Sequence, residues 1–396
     1  VGSISDFRSI RFMRMFVKGF TQPTYLRFAR LELVRGEWRR YTGDLDQPGE
    51  SIGDDPNVGF NIYAINIEEN ASKEPVNYVL PPQLQREIQA GSPTLTRQNE
   101  QSLAIQVEGL EDGKSQAAFR NVNLDMRSFK KLQMFLHAES MEACQEIDDD
   151  DLKVFVRIGT DFSENYYEYE TPLTITPDGF YRNDMAADQQ AVWPLENNIV
   201  IEFEELFSAK RQRNESIGDG NGVAVNQRYR VSSAGGRNIY VVGNPNLADV
   251  RVVMIGVRNP AQTFGSTTDD GLPKCVEIWA NELRLTHFDQ TGGEAAIGRV
   301  SAQLADFASV TASGTISTPG WGSLESKVSE RQRETLSQVD ASAQIQLDKF
   351  VPEETGLKVP MYVGYSKNTS KPQFAPAEPD TPMDIYLANR TIQERD

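Results

Sequence analysis

Four consecutive aspartates, Asp148, Asp149, Asp150 and Asp151, are the densest group of potential metal ligands in this chain of 396 residues. Carboxylate oxygens are what a hard cation such as Ca2+ takes, but the run leads straight into a strand-like stretch, where acidic residues more often form a solvated turn. The glycine-rich "GDGNG" at 218–222 resembles a calcium loop and lacks the repeated spacing of one. Tyr166, Tyr167, Tyr169 and Trp193 could stack on a glycan, although aromatics in strands more usually serve the core or cross-strand pairs. Glu139, Glu142 and Glu146 are carboxylates of the kind that acid/base hydrolysis needs in pairs, and nothing in the sequence supplies a second member. Only two histidines occur, His137 and His287, which leaves little for imidazole catalysis. Cys144 and Cys275 are the only cysteines. Without a CxxC pair a zinc site is not expected, and the two are either one disulfide or two buried thiols. No GxSxG, P-loop or GxGxxG precedes a helix. The expectation is no enzyme, with no catalytic, cofactor or metal residues assigned.

Composition narrows the partners. Hydrophobic residues at 39% and charged residues at 24% suit a folded chain, and the length calls for two or more domains. A net charge of -17 argues against nucleic acid, which needs a basic face. No apolar run reaches the length of a transmembrane helix, and the opening residues contain no signal-peptide core.

The elements that must position these residues are strands. Period-two alternation marks 102–109, 131–139, 152–161, 165–175, 199–206, 238–243, 250–259 and 275–288, with Gly, Pro, Asn and Asp clusters between them. One helix is expected around 205–214. The stretch "IRFMRMFVKGF" (10–20) reappears as "VRVVMIGVR" (250–258), and "LRFARLEL" (26–33) as "VEIWANEL" (276–283). Two matches in the same order read as the closing strand pair of a repeated module. The expected fold class is therefore all-β. Residues 1–45 close an upstream sandwich, 46–100 are a Pro-rich linker and lead-in, and 101–290 form a jelly-roll-like β-sandwich.

Residues 291–396 follow another rule. From Ala296 to Ile316 the even positions are small or apolar and many odd ones polar, with Asp306 marking a turn. Val339, Ala341, Ala343, Ile345 and Leu347 then alternate with polar residues that include Ser342, Gln344 and Gln346. Strand-length segments that are apolar on one side and polar on the other are the pattern of a transmembrane β-barrel around a watery lumen. That makes the first set lipid-facing candidates and the second set lumen-facing ones. Phe350, Tyr365 and Phe374 suit interfacial girdles. An antiparallel sheet with one solvated face gives the same alternation, so the pattern alone leaves both open. A barrel would need more strands than these.

Several long strings, "RFMRMFVKGF", "LVRGEWRRY", "DMRSFKKLQMFLHAE", "VEIWANELRL", "STPGWGSLESKVSER" and "GLKVPMYVGYS", resemble the SprA (Sov) family of Bacteroidota, and the resemblance covers almost the whole chain. It implies an internal segment of a much longer protein, the outer-membrane translocon of the type IX secretion system, which serves protein transport and gliding motility. It also implies partners: the rest of the SprA barrel, a PorV-like small barrel, a periplasmic plug protein, cargo proteins with a C-terminal sorting domain, and the lipid bilayer. The sandwich would stand at a mouth of that barrel, on the cell surface or the periplasmic side. The runner-up is a soluble, surface-displayed binding module for glycan.

Overall fold

β-branched and aromatic residues at alternate positions, cut by Gly, Asn, Asp and Pro turns, fold into sixteen strands among the described residues. The computed structural model describes residues 18, 22, 37–43, 45, 58–86, 97–141, 144, 147–262, 270–326 and 330–387. In chain order the first strands are β1 (Arg39–Arg40), β2 (Gly59–Asn66), β3 (Gln101–Leu110), β4 (Ser115–Leu124), β5 (Lys131–Ser140) and β6 (Lys153–Gly159). Then come β7 (Tyr166–Pro172), β8 (Ile199–Glu202), β9 (Tyr229–Ser232), β10 (Asn238–Val242), β11 (Val250–Arg258) and β12 (Lys274–Thr286). The last four are β13 (Ala295–Leu304), β14 (Ala308–Ser317), β15 (Glu334–Gln346) and β16 (Pro360–Pro372). Helices are few: α1 (Ile67–Asn70), α2 (Ala186–Val192) and α3 (Phe203–Gly218).

The strands form three antiparallel sheets. One has seven strands in the order β1-β4-β11-β6-β7-β10-β9, a second has five in the order β2-β3-β12-β5-β8, and the third runs β13-β14-β15-β16. The first two share one core, in which Ile105, Leu136 and Ile278 of the five-stranded sheet meet Val156, Tyr167 and Val253 of the seven-stranded one. That is a sandwich. Leu206 and Ala209 of α3 join the same core.

The outer face of the five-stranded sheet is also covered. Val76, Tyr78, Val79 and Leu80 lie over Ala104 and Trp279, together with Val192 and Trp193. This explains why "VEIWANELRL" is apolar on both sides: Val276 and Ile278 point into the sandwich, and Trp279 points the other way.

Some expected boundaries shift. The stretch at 199–206 is a strand only to Glu202, because Phe203, Leu206 and Ala209 fall on one face at helical spacing and the chain coils there. β4 and β9 were not expected as strands: β4 carries Arg120, Asn121 and Asn123 in its exposed half, which hides its alternation. Residues 59–66, assigned to the linker and lead-in, supply the edge strand β2, paired with β3 from Gly59↔Glu108 to Asn66↔Gln101. The first copies of the repeated pair, at 10–20 and 26–33, lie outside the described residues. Their later counterparts fall in β11 and β12, which belong to different sheets.

Candidate functional site

The third sheet is where sequence pattern and geometry converge. β13 pairs with β14 without a break from Ala295↔Ser317 to Leu304↔Ala308. β14 pairs with β15 from Ala308↔Ile345 to Ser317↔Leu336, and β15 with β16 from Glu334↔Pro372 to Gln346↔Pro360. Directly opposed residues share a face, so an unbroken register sorts every side chain of the sheet.

One face carries the rows Leu304–Ala308–Ile345–Met361, Ala302–Val310–Ala343–Val363 and Val300–Ala312–Ala341–Tyr365, followed by Gly298–Gly314–Val339–Lys367. Its only charges among the described residues are Lys367 and Lys371, both on β16 in the half nearer the sandwich. The opposite face carries Gln303–Ser309–Gln344–Tyr362, Ser301–Thr311–Ser342–Gly364 and, mid-sheet, Arg299–Ser313–Asp340–Ser366. Ser366 donates to Asp340 Oδ1 at 2.6 Å and Gln338 to Oδ2 at 2.8 Å. Ile297 and Leu336 are the large aliphatic residues on this face, at the sandwich end.

Apart from Ala308, no residue of these strands is buried. Val300 is 69% exposed and Val363 51%. An apolar face in the open needs a cover that is not water. A transmembrane barrel strand spans an apolar band of about 25 Å at a tilt near 40°. The 10 residues each of β13 and β14 reach roughly 34 Å along the strand, or about 26 Å at that tilt. β15 and β16, at 13 residues each, project further.

The expected face residues separate as follows. Ser342 and Gln344 lie on the polar face, and Gln346 closes β15 on the same side with its N–H donating to the Phe307 carbonyl at 2.8 Å. Val339, Ala341, Ala343 and Ile345 lie on the apolar face. Leu347 does not continue that face, because the strand ends at Gln346 and Leu347 opens a 3₁₀ turn, its N–H bonded to Val359 O. Of the girdle residues, Phe350 meets Phe307 edge-to-face at 4.9 Å at the turn end. Tyr365 sits in the middle of β16, and Phe374 lies beyond that strand under the Arg127 guanidinium, 4.8 Å from the ring centroid.

The other candidates are closed. Asp151 and Asp270 both accept from the Lys274 ammonium, at 2.8 and 2.9 Å, so these two carboxylates already share a protein cation. Burial works to lower the Lys274 pKa, but the two carboxylates outweigh it and raise it. Asp149 accepts from the Ile175 N–H, as a turn residue does. Tyr166, Tyr167, Tyr169 and Trp193 are all buried and offer no stacking surface.

Glu139 does gain a second carboxylate that the sequence hid: Glu277 of β12 stands directly opposite it on β5. Both are buried. Lys73 bonds Glu139 and lies 3.5 Å from Glu277, and His137 Nε2 lies 3.3 Å from Glu139. Trp279 Nε1 and the Tyr63 hydroxyl donate to Glu277 at 2.7 and 2.5 Å. Burial first, and then this carboxylate, push the Tyr63 pKa well up. Every carboxylate here is engaged, so the arrangement fastens the segment that carries Lys73 to the sheet. Glu142 and Glu146 lie outside the described residues. His287 is exposed beside Thr286. Cys144 and Cys275 are joined in a disulfide, with Cα atoms 5.5 Å apart.

A family model described as "Motility related/secretion protein", SprA_N, matches residues 1–387. The chain belongs to the SprA_N family. Membership places it among motility- and secretion-related proteins, and the match takes in both the sandwich and the open sheet. No individual curated protein matches the chain.

Proposed function

We propose that β13–β16 are a section of the wall of a large outer-membrane β-barrel that conducts folded cargo in type IX secretion, with the sandwich standing at its outer mouth. The observation that carries this reading is the register. It gathers Val300, Val310, Ala341, Ala343 and Val363 on one exposed face and Arg299, Ser313, Asp340 and Ser366 on the other. The first face meets lipid, and the second lines a hydrated lumen past which a folded protein slides without an apolar surface to hold it. Four strands cannot close a barrel, so the neighbours on either edge are further strands of the same wall. The resemblance adds a PorV-like small barrel, a periplasmic plug and cargo with a C-terminal sorting domain as partners. The sheet contributes surface rather than catalysis, and no cofactor enters the reading. A soluble glycan-binding module is less well supported, because its aromatic platform is buried.

The test uses paired substitutions in the complete membrane protein. Ala341 lies in the middle row of the apolar face, and Ser342 is its neighbour on the other. Ala341→Arg sets a cation against the bilayer midplane at a cost of about 2–4 kcal/mol, whereas Ser342→Arg faces water. The expected result is less folded, membrane-inserted protein and less secreted cargo for Ala341→Arg, with near-normal assembly for Ser342→Arg. Equal assembly of the two variants would remove the lipid-facing assignment.

A further inference from the structure

After β16 the chain does not leave the sandwich; it returns to it. The Gln373 N–H donates to Arg333 O, and residues 375–381 close into a tight loop through Ala375 N to Thr381 O (2.9 Å) and Thr381 N to Glu378 O (2.8 Å). Pro376, Pro379 and Pro382 restrict the unfolded alternatives of this loop. At its tip Asp380 is 0% exposed, although it is a carboxylate on a surface loop.

The sandwich supplies its socket. The Tyr167 hydroxyl, from β7, donates to Asp380 Oδ2 at 2.7 Å, and the ammonium of Lys210, from α3, donates to Oδ1 at 2.9 Å. Lys210 is itself buried, and its other partner is the Pro245 carbonyl at 3.0 Å. Burial first, then the Asp380 charge, hold the Tyr167 pKa well above its ordinary value, so it stays a donor. Two flanking contacts extend the grip: Asn214 donates to Glu378 at 2.9 Å, and Arg127 donates to the Pro379 carbonyl at 3.1 Å. Asp125 of the sandwich also takes Arg333, the residue before β15, at 3.1 Å.

We propose that residues 373–387 are a strap that locks the sandwich to the four-stranded sheet, with Asp380 as its bolt. The sandwich is then a fixed part of the mouth and not a lid that swings; only this last clause rests on reading the sheet as barrel wall. The physical reason is that the socket cannot be left empty. A buried ammonium facing a single carbonyl is an uncompensated charge, far costlier than the paired one. Opening the strap therefore leaves the Lys210 ammonium with the Pro245 carbonyl alone and takes the Asp380 acceptor from the Tyr167 hydroxyl.

The experiment separates the lock from general stability. In the complete protein, Asp380→Asn keeps an acceptor for Tyr167 and removes the charge facing Lys210. Amide exchange at Ala375, Thr381 and Met383 is expected to speed up by about 30-fold or more, with the β11 amides unchanged. Spin labels at Gln212 on α3 and Thr355 beyond β15, both exposed, are expected to change from one narrow distance distribution to a broad one. Cys144 and Cys275 are paired with each other and take no label. Adding Lys210→Met to Asp380→Asn is expected to restore much of the protection, because both charges are gone. Tyr167→Phe, which removes one donor only, is expected to fall between wild type and Asp380→Asn. A distance distribution that stays narrow in Asp380→Asn overturns the lock. So does loss of β11 protection in step with the strap in both Asp380→Asn and Tyr167→Phe, since the loop would then be ordinary core.

Discussion

The residues that hold the seven-stranded sheet together look like surface residues in the sequence. In "YYEYETP", alternation puts Tyr167 and Tyr169 inward and Tyr166, Glu168 and Glu170 outward, as the structure has them. The outward face is nevertheless buried: Glu168 is bonded by Arg157 at 2.6 Å, by Arg258 at 3.1 Å and by Arg228, and Glu170 by Arg258, with Lys153 at 3.3 Å. Arg258 and Arg228 lie 90 and 60 residues from Glu168, beyond the reach of any local pattern, whereas Arg157 is its cross-strand neighbour in the β6–β7 hairpin. The pairing of Glu139 with Glu277 was hidden for the same reason. Burial alone would raise the Glu168 pKa, but Arg258, Arg157 and Arg228 outweigh it and hold it far below the ordinary 4.5. A depressed carboxylate contributes stability that is fully present above its unfolded value and lost as pH falls through the folded one. The sandwich should therefore lose stability as pH drops below about 4.5. Glu168→Gln, which leaves Arg157 without its carboxylate and Arg228 and Arg258 with that of Glu170, should cost about 3–5 kcal/mol at pH 7 and flatten the acid limb. Denaturant titrations of both proteins from pH 7 to 3 check this, and parallel acid limbs would count against it.

At the scale of elements, strands with clean alternation were legible and polar or short ones were not. β3, β5, β11 and β12 fall within a residue or two of their expected limits, because each buries most of at least one face. β4 fails because its second half crosses an open edge of the sandwich, where Arg120 and Asn123 are acceptable. α3 starts earlier than expected because helical spacing begins at Phe203. Which loops meet was only partly readable: the two cysteines left a disulfide and two buried thiols both open, and the structure has the disulfide. It ties the connection after β5 to the first residues of β12 across a sequence separation of 131. Closing so long a loop removes unfolded-chain entropy worth about 5 kcal/mol at most, and measured values run about 2–5. Cys275→Ser should lower the unfolding free energy of the sandwich by roughly 3–5 kcal/mol. Reductant should destabilise the wild type and leave the variant unchanged, which denaturant curves with and without dithiothreitol will read.

For the whole molecule, the two faces of β13–β16 were readable from alternation, but how the sheet stands relative to the sandwich was not. Residues from Glu37 onward form one compact unit, and the sandwich lies at one end of the sheet. The Asp289 N–H donates to Ser128 O at 2.7 Å there. The opposite end carries the short turn at 305–307 and the connection at 347–359, and the sandwich end carries the longest connection, 318–333. In outer-membrane barrels short turns face the periplasm and long connections the exterior. Lys367 and Lys371 fit a membrane interface at the sandwich end: on the apolar face of β16, in its sandwich-side half, their stems can lie along that face while the ammonium groups reach anionic headgroups. The proposed barrel thus puts the sandwich outside the cell and the 305–307 turn in the periplasm. Single cysteines at Gln212, on the sandwich, and at Thr355, at the turn end, test the orientation in whole cells with a bulky, membrane-impermeant maleimide. Gln212→Cys should label in intact cells, and Thr355→Cys only after the outer membrane is permeabilised. The reverse pattern would turn the sandwich to the periplasmic mouth, and the polar row Arg299–Ser313–Asp340–Ser366 would still line the same lumen, because the faces are set by register and the orientation by the turns.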